Sequence, residues 1–354
     1  MNEIEIKETI QRLCFQEGLL FLGSTSLLDV PDSAYERFRY WLSQDYHGTM
    51  NYLNKVRRGV QEFLPWAKTV FMFGWLYPRQ FVESRQGYGR IADYAVWRDY
   101  HKVFKKRLVK IACKLGDLIP QSRFKCITDA FPIMEKALAL NLNVPDFFMG
   151  KNTLLIHKKF GSYFLLGEIV SNLEVVSYAH PEPSTRSNCG TCENCLVNCP
   201  NRALKDGYLD SRKCVSFWTI EYKGYFDLEK IELVHDWLFG CDVCQSTCPF
   251  NHKLRNSSYN SFRLGDRKLE GSFPLLRALS LTFEDFFNIF SGTPVYRTGH
   301  SGFIRNAIAV AYNQRYENAF GLIKNLTCVE DDVIGTTAEI ALKNWQKKHS
   351  LFIL

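Results

Sequence analysis

Eight of the twelve cysteines lie between Cys189 and Cys248, and their spacing points to one chemistry. Cys189-x2-Cys192-x2-Cys195-x3-Cys199-Pro200 sets three thiolates at a pitch that wraps one iron–sulfur cubane. The fourth cysteine of such a run, turned away by its proline, ligates a different cluster. A second set is Cys241-x2-Cys244-x3-Cys248-Pro249, with Cys214 upstream. Eight thiolates suffice for two [4Fe–4S] clusters: Cys189, Cys192, Cys195 and Cys248 on one, Cys199, Cys214, Cys241 and Cys244 on the other. Two structural zinc sites are the alternative, but zinc hairpins favour cysteine pairs separated by a longer loop. Cys14, Cys113, Cys126 and Cys328 are scattered and read as ordinary buried thiols.

Two adjacent clusters conduct electrons and have no substrate chemistry of their own, so the rest of the chain must supply it. With 354 residues, 46% hydrophobic and 14% aromatic, that rest can fill two or three cores, which excludes a disordered chain. The longest apolar stretch, Val70 to Tyr77, is too short to span a bilayer, and the charged N-terminus lacks the apolar core of a signal peptide. A soluble, cytoplasmic protein with no membrane partner is expected. The net charge of +7 permits a polyanionic partner without requiring one.

Periodicity suggests which elements hold the site. The first 55 or so residues read as helical, from Ile6, Ile10, Leu13 and Leu20 and then Tyr35, Phe38 and Leu42. Thr69 to Trp75 reads as a buried strand. Tyr94 to Leu115 reads as a helix, with Tyr100, Phe104, Leu108, Ile111 and Leu115 on one face and Lys102, Lys106 and Lys110 on another. That basic stripe is either a solvated face or an RNA-backbone contact. Thr153–His157 and Ser162–Val170 flank Lys158-Lys-Phe-Gly as a strand–turn–strand candidate. Pro181 to Asn188 has linker composition. Helical runs at Phe303–Gln314, Asn318–Leu326 and Val333–Lys348 suggest a HEAT-like repeat pair. The expected fold is α+β in three domains: 1–178 mixed α/β, 179–260 a ferredoxin-like two-cluster module, and 261–354 helical.

Several strings resemble the epoxyqueuosine reductases of tRNA modification. They include Arg98-Asp-Tyr-His-Lys-Val, Thr128-Asp-Ala-Phe-Pro-Ile-Met-Glu, Gly150-Lys-Asn-Thr-Leu-Leu-Ile and Gly161-Ser-Tyr-Phe-Leu-Leu-Gly-Glu-Ile. Cys214-Val-Ser-Phe-Trp-Thr-Ile-Glu, Phe239-Gly-Cys-Asp-Val-Cys-Gln-Ser-Thr-Cys-Pro-Phe-Asn, Gly292-Thr-Pro-Val-Tyr-Arg and Phe303-Ile-Arg-Asn continue the match in order, over about residues 50 to 315.

The resemblance implies a cobalamin-binding catalytic domain at 1–178, built like that of reductive dehalogenases. It also implies reduction of the epoxide of epoxyqueuosine in a tRNA anticodon to the alkene of queuosine. The partners implied are tRNA and an external electron donor, with the chain a monomer. Asp129, in the Asp-x-x-Pro string, takes the place of the family's proton donor; from its residues alone it reads equally as a turn former. A desolvated pocket is expected to raise its pKa. Arg57, Asp129, Lys151, Thr153, Ser216 and Asp242 are the expected corrinoid neighbours.

Asp99-Tyr-His101-Lys-Val-Phe lacks the glycine of the cobalt-ligating Asp-x-His-x-x-Gly string. Base-off cobalamin without a protein imidazole is therefore expected, with His101 a helix-surface or packing residue. Two departures lie near the expected pocket: Val144 to Lys151 lacks two of the family's loop glycines, and Phe131 replaces a small residue. Arg297, Arg305, Lys347 and Lys348 form a second candidate RNA surface. The competing functions are a corrinoid reductase with another substrate and a plain electron carrier.

Overall fold

The computed structural model describes residues 2–79, 82–142, 146–175, 188–205, 207–252 and 267–350, the side chains of 346–350 excepted. The linker expected at 181–187, Val144, Pro145 and the side chains of Lys347 and Lys348 lie outside that description.

Helix α1 (Glu3–Glu17) opens with a capping box at Asn2 and stops at Gly18, whose left-handed φ of 65° no side-chain-bearing residue adopts as cheaply. Strand β1 (Leu20–Thr25) follows, then α2 (Asp32–Ser43). The first 55 residues are therefore not helical throughout. Leu20 lies in a strand paired with β2 (Thr69–Leu76), and α2 buries none of Tyr35, Phe38 or Leu42. Apolar spacing alone did not separate the strand from the helix before it.

The main sheet has the order β1–β2–β7–β4 and is antiparallel throughout, with β4 at Phe124–Ile127 and β7 at Phe164–Ser171. All eight residues of β2 are buried, because both faces of the sheet are covered. Phe71, Phe73 and Trp75 face the larger core with α1 and α3 (Tyr100–Leu118); Val70 and Met72 face a second core with α4 (Glu135–Leu140). The apolar face expected of α3 is buried as read.

The strand–turn–strand expectation is corrected. His157 and Gly161 do close a turn, but β6 (Leu155–His157) pairs with β5 (Phe147–Met149), whereas β7 joins the main sheet. Among the described residues a further sheet is shared along the chain. Tyr88–Ile91 (β3) lies between Trp237–Phe239 and Ser272–Pro274.

The C-terminal helices His300–Asn313, Phe320–Leu326 and Asp332–Ser350 form where expected. Arg305 on the first of them is fully buried, so it belongs to no RNA surface. Its guanidinium donates to the carbonyls of Trp218, Tyr222 and Gly224 at 2.8–3.0 Å and lies 4.0 Å over the Phe226 ring. Asn306 beside it donates to Thr219 and Leu238. Both side chains thus clamp the backbone that follows Cys214. Replacing Arg305 by Met strands three buried carbonyls at about 1–3 kcal/mol each. Thermal unfolding of the anaerobic protein is expected to come about 4–12 °C earlier, the shift that several kcal/mol produces in a chain of this size.

Candidate active site

The cysteines gather as their spacing predicts. Cys189, Cys192, Cys195 and Cys248 line one cavity, walled by Lys151, Asn152, Ile156 and Phe250. Burial, then the charges of Cys189 and Cys248, pushes the Cys195 thiol up to about 11. Burial likewise raises Cys244, which next feels Cys214, Asp242 and Cys199; Cys241 feels Cys214 and Cys244. Cys195 also reaches Cys244, so the two quartets are neighbours. Buried thiols resist ionisation on their own, and bound iron supplies the compensating charge.

Among the described residues no three His, Cys, Asp or Glu side chains converge on a common metal ion. A zinc site needs sulfurs within about 4 Å of one another, whereas a cubane holds its thiolates farther apart. Backbone N–H groups point at the sulfurs, Ala203 to Cys199 at 3.2 Å among them, and such bonds tune a cluster's potential.

Two of the expected corrinoid neighbours are already engaged in this module. Lys151 Nζ donates to the carbonyls of Gly190 and Cys192 at 3.1 and 3.0 Å, holding the first cluster loop. Buried Asp242 accepts the Asp93 N–H at 2.6 Å, and burial pushes its carboxyl up to about 6. Thr153 sits at φ 61°, its carbonyl accepting from Lys136. Ser216 hydrogen-bonds to Cys214. Arg57 is exposed, and its N–H donates to the Pro132 carbonyl beside the Asp129 loop. Gly161, at φ 65°, is where a Cβ would strike Asn251 Oδ1; Asn251 in turn accepts the Ser162 N–H at 2.7 Å, stapling the module to the N-terminal sheet.

The two departures from the family strings sit against different neighbours. Phe131 packs edge-on against Phe63 in the second core, and Phe148 backs Cys248 together with Ile156. The scattered cysteines need correction as well: Cys14 is buried, but Cys113 and Cys328 are exposed.

Asp129 stands at the end of β4, in a left-handed conformation (φ 52°), with its side chain half exposed. Tyr100 Oη donates to Asp129 Oδ2 at 2.5 Å. His101 Nε2 lies 3.4 Å from the same oxygen, and His101 Nδ1 is 2.7 Å from Asp99 Oδ1. Asp99 also caps α3 by accepting the His101 N–H. Periodicity marked Tyr100 as core and His101 as surface; their convergence on Asp129 was missed. The signal was present in the adjacency of Asp99, Tyr100 and His101 at a helix start.

Burial opposes charge on Asp129. Hydrogen bonds from His101 and Tyr100, then the charges of His101 and Arg297, outweigh it and hold the carboxyl below its usual value. That reverses the expected direction. Burial opposes charge on His101 too, but its hydrogen bonds to Asp129 and Asp99 win and lift it to about 9. At neutral pH the dissociable proton therefore sits on His101, with Asp129 as the carboxylate beside it, while burial and the Asp129 charge hold the Tyr100 phenol protonated as a hydrogen-bond donor.

Tyr94 links this site to the clusters. Its ring is 6.2 Å from Tyr100 and 6.2 Å from Phe239, and it packs with Cys241 against Ala92, Val215 and Trp237. Tyr94 and Tyr100 thus join Asp129 to the cysteines of the second quartet.

Residues 57–130 match the family described as epoxyqueuosine reductase QueG, DUF1730, and residues 188–251 match a 4Fe-4S double cluster binding domain. An epoxyqueuosine reductase of Francisella cf. novicida is 33% identical over 342 residues, 91% of this chain and 92% of that protein. The chain belongs to the epoxyqueuosine reductase family. Another epoxyqueuosine reductase, from Cyclobacterium marinum, is 31% identical over 85% of this chain and 94% of its own. The solved epoxyqueuosine reductase of Streptococcus thermophilus superposes with a TM-score of 0.82 at 28% identity, covering 97% of this chain and 91% of that one. A further epoxyqueuosine reductase structure, in complex with an epoxyqueuosine-modified tRNA-Tyr stem loop, has a TM-score of 0.84 at 24% identity and the same coverage. As a member of the epoxyqueuosine reductase family the protein is an oxidoreductase with an iron–sulfur double-cluster domain. No described helix is long and apolar enough to cross a membrane.

Proposed function

We propose that the protein reduces epoxyqueuosine to queuosine in the anticodon of tRNA, with Asp129 delivering a proton. The observation that carries this reading is the Asp129–His101–Tyr100 proton site set one aromatic layer from the second cluster. Converting an epoxide to an alkene takes two electrons and two protons and releases water. Cluster electrons, one proton held at His101 and a second taken from solvent at the half-exposed Asp129 match both halves of that requirement.

A corrinoid belongs to the same proposal. When bound, it supplies a low-potential metal centre between the clusters and the substrate. The donor set fits a corrinoid without a His101 imidazole on its metal, because both nitrogens of His101 are engaged by carboxylates. Arg57, Thr153 and Ser216 would meet its polar edge, while Lys151 and Asp242 steady the cluster loops. The division into 1–178, 179–260 and 261–354, the likeness of the first part to reductive dehalogenases and the HEAT-like pairing of the last helices are part of this reading. So are a cytoplasmic monomer and an external electron donor.

The deciding experiment is an anaerobic assay on tRNA carrying epoxyqueuosine, with nucleosides resolved by mass spectrometry. Queuosine formation that depends on added cobalamin is expected. Electron flow through the protein with no change in the nucleoside would leave only a carrier.

Part of the basic stripe is already committed within the protein. Lys110 pairs with Glu17 at 3.0 Å, and Arg107 donates to the Glu17 carbonyl. Lys102, Lys105 and Lys106 are exposed on the helix that begins at Tyr100 and His101, so they lead away from the site. Replacing Lys102 and Lys106 by Glu is expected to weaken tRNA binding at least tenfold and to lower its salt slope by about two charges. Filter binding across a salt series checks this, with cluster content unchanged.

A further inference from the structure

Behind Asp129 lies a pair of carboxyl groups that the reduction itself does not use. Glu168 is in the central strand β7, between Met72 of β2 and Ile127 of β4, and is fully buried. Neither of its oxygens receives a hydrogen bond from any described donor. The group they face is the Glu135 carboxyl at the start of α4. Two carboxylates cannot satisfy each other, whereas a carboxyl and a carboxylate can. Glu135 Oε1 also accepts the Asp129 N–H at 2.9 Å, at the residue whose φ of 52° makes the loop turn.

We propose that Glu135 and Glu168 share one proton, and that this proton latches the Asp129 loop in place, Glu168 donating to Glu135 while Glu135 accepts the Asp129 N–H. Both are positioning residues for the reaction, and that role rests on the reading of Asp129 as the proton-delivering group. Burial and then the neighbouring Glu135 charge push Glu168 well above the carboxyl range, while burial and the Asp129 charge push Glu135 up to about 7. The titratable groups facing the pair are Asp129 from the loop and Lys136 from α4; Met72 and Ile127 on the flanking strands do not titrate. Asp129 itself faces His101, Tyr100 and Arg297.

The sign follows. Above about pH 7 Glu135 is a carboxylate held by the Glu168 proton. Once that proton is lost at high pH, three carboxylates stand together and the latch opens. Glu168→Gln keeps a donor toward Glu135 that cannot ionise, so its latch stays shut at high pH. Glu168→Leu removes the donor at every pH.

The test is hydrogen exchange of the 128–134 segment in the cluster-loaded, substrate-free protein between pH 7 and 10, corrected for intrinsic rates. Wild-type protection is expected to fall at least tenfold across this range, that of Glu168→Gln to persist, and that of Glu168→Leu to be low throughout. Single-turnover reduction at pH 8 is expected to drop 10–10²-fold in Glu168→Leu, as for a group displaced by about 1 Å, and to stay near wild type in Glu168→Gln. An identical pH dependence in wild type and Glu168→Gln overturns the latch, whether or not Glu168→Leu folds. Exchange is read without substrate, so this outcome is separate from whether Asp129 gives up a proton in turnover.

Discussion

Asp129→Asn is expected to load both clusters and bind tRNA normally, yet to reduce the epoxide 10²–10⁴-fold more slowly, the usual contribution of a positioned acid. Asn tolerates the left-handed backbone at this position and keeps the size of the side chain, so the loop survives the change. What is lost is a carboxylate that can take a proton from His101 and pass it to a departing oxygen. An amide accepts their hydrogen bonds without relaying the proton. Near-normal single turnover in this variant would remove Asp129 from the chemistry.

The pH dependence has a definite sign. His101 holds its proton up to about pH 9, above the roughly 6.5 of a free imidazole, because two carboxylates flank it. The ion pair is complete below the lower value and is lost as pH rises through about 9. Proton delivery should fade over the same range, and a rate profile against pH at saturating tRNA checks this.

Cys214→Ala is the second large effect. Wild-type protein prepared without oxygen should carry about eight iron and eight sulfide per chain, two cubanes' worth. The variant should lose roughly half, because Cys214 sits with Cys199, Cys241 and Cys244 and the other quartet shares none of these ligands. Reduction should fall below detection, since the lost cluster is the one joined to Asp129 through Tyr94. Stoichiometric zinc with no iron would refute the assignment. Full activity with four irons would refute the electron route.

How much could be read in advance depended on how local the cause was. The cysteine string is a local device whose spacing sets which sulfurs can reach one cluster, and the fold draws Cys189, Cys192, Cys195 and Cys248 around one cavity and brings Cys214 and Cys199 near Cys244. Helix α3 was equally legible, since one apolar face at a 3.6-residue period has one way to bury itself. Strand β1 was not, because Leu20 continues the apolar spacing of α1 and only the Gly18 turn separates them. The partner of β7 was hidden too: a turn at His157–Gly161 looks the same whether or not its arms pair.

The sequence by itself determined the cofactor of the cysteine block, the principal helices and the family, because these rest on residue type at short separation. Tertiary structure alone decided the charge states around Asp129. Burial by itself would raise that carboxyl, but β4 ends where α3 begins, and the fold brings Tyr100 and His101 onto it and reverses the shift. The same holds for Arg305, an apparent surface cation that three carbonyls far away in sequence draw into the core. It holds also for Glu168, whose meaning depends on Glu135 arriving opposite it from 33 positions away. Electrostatic energies depend on distance through space, which the order of residues along a chain does not state.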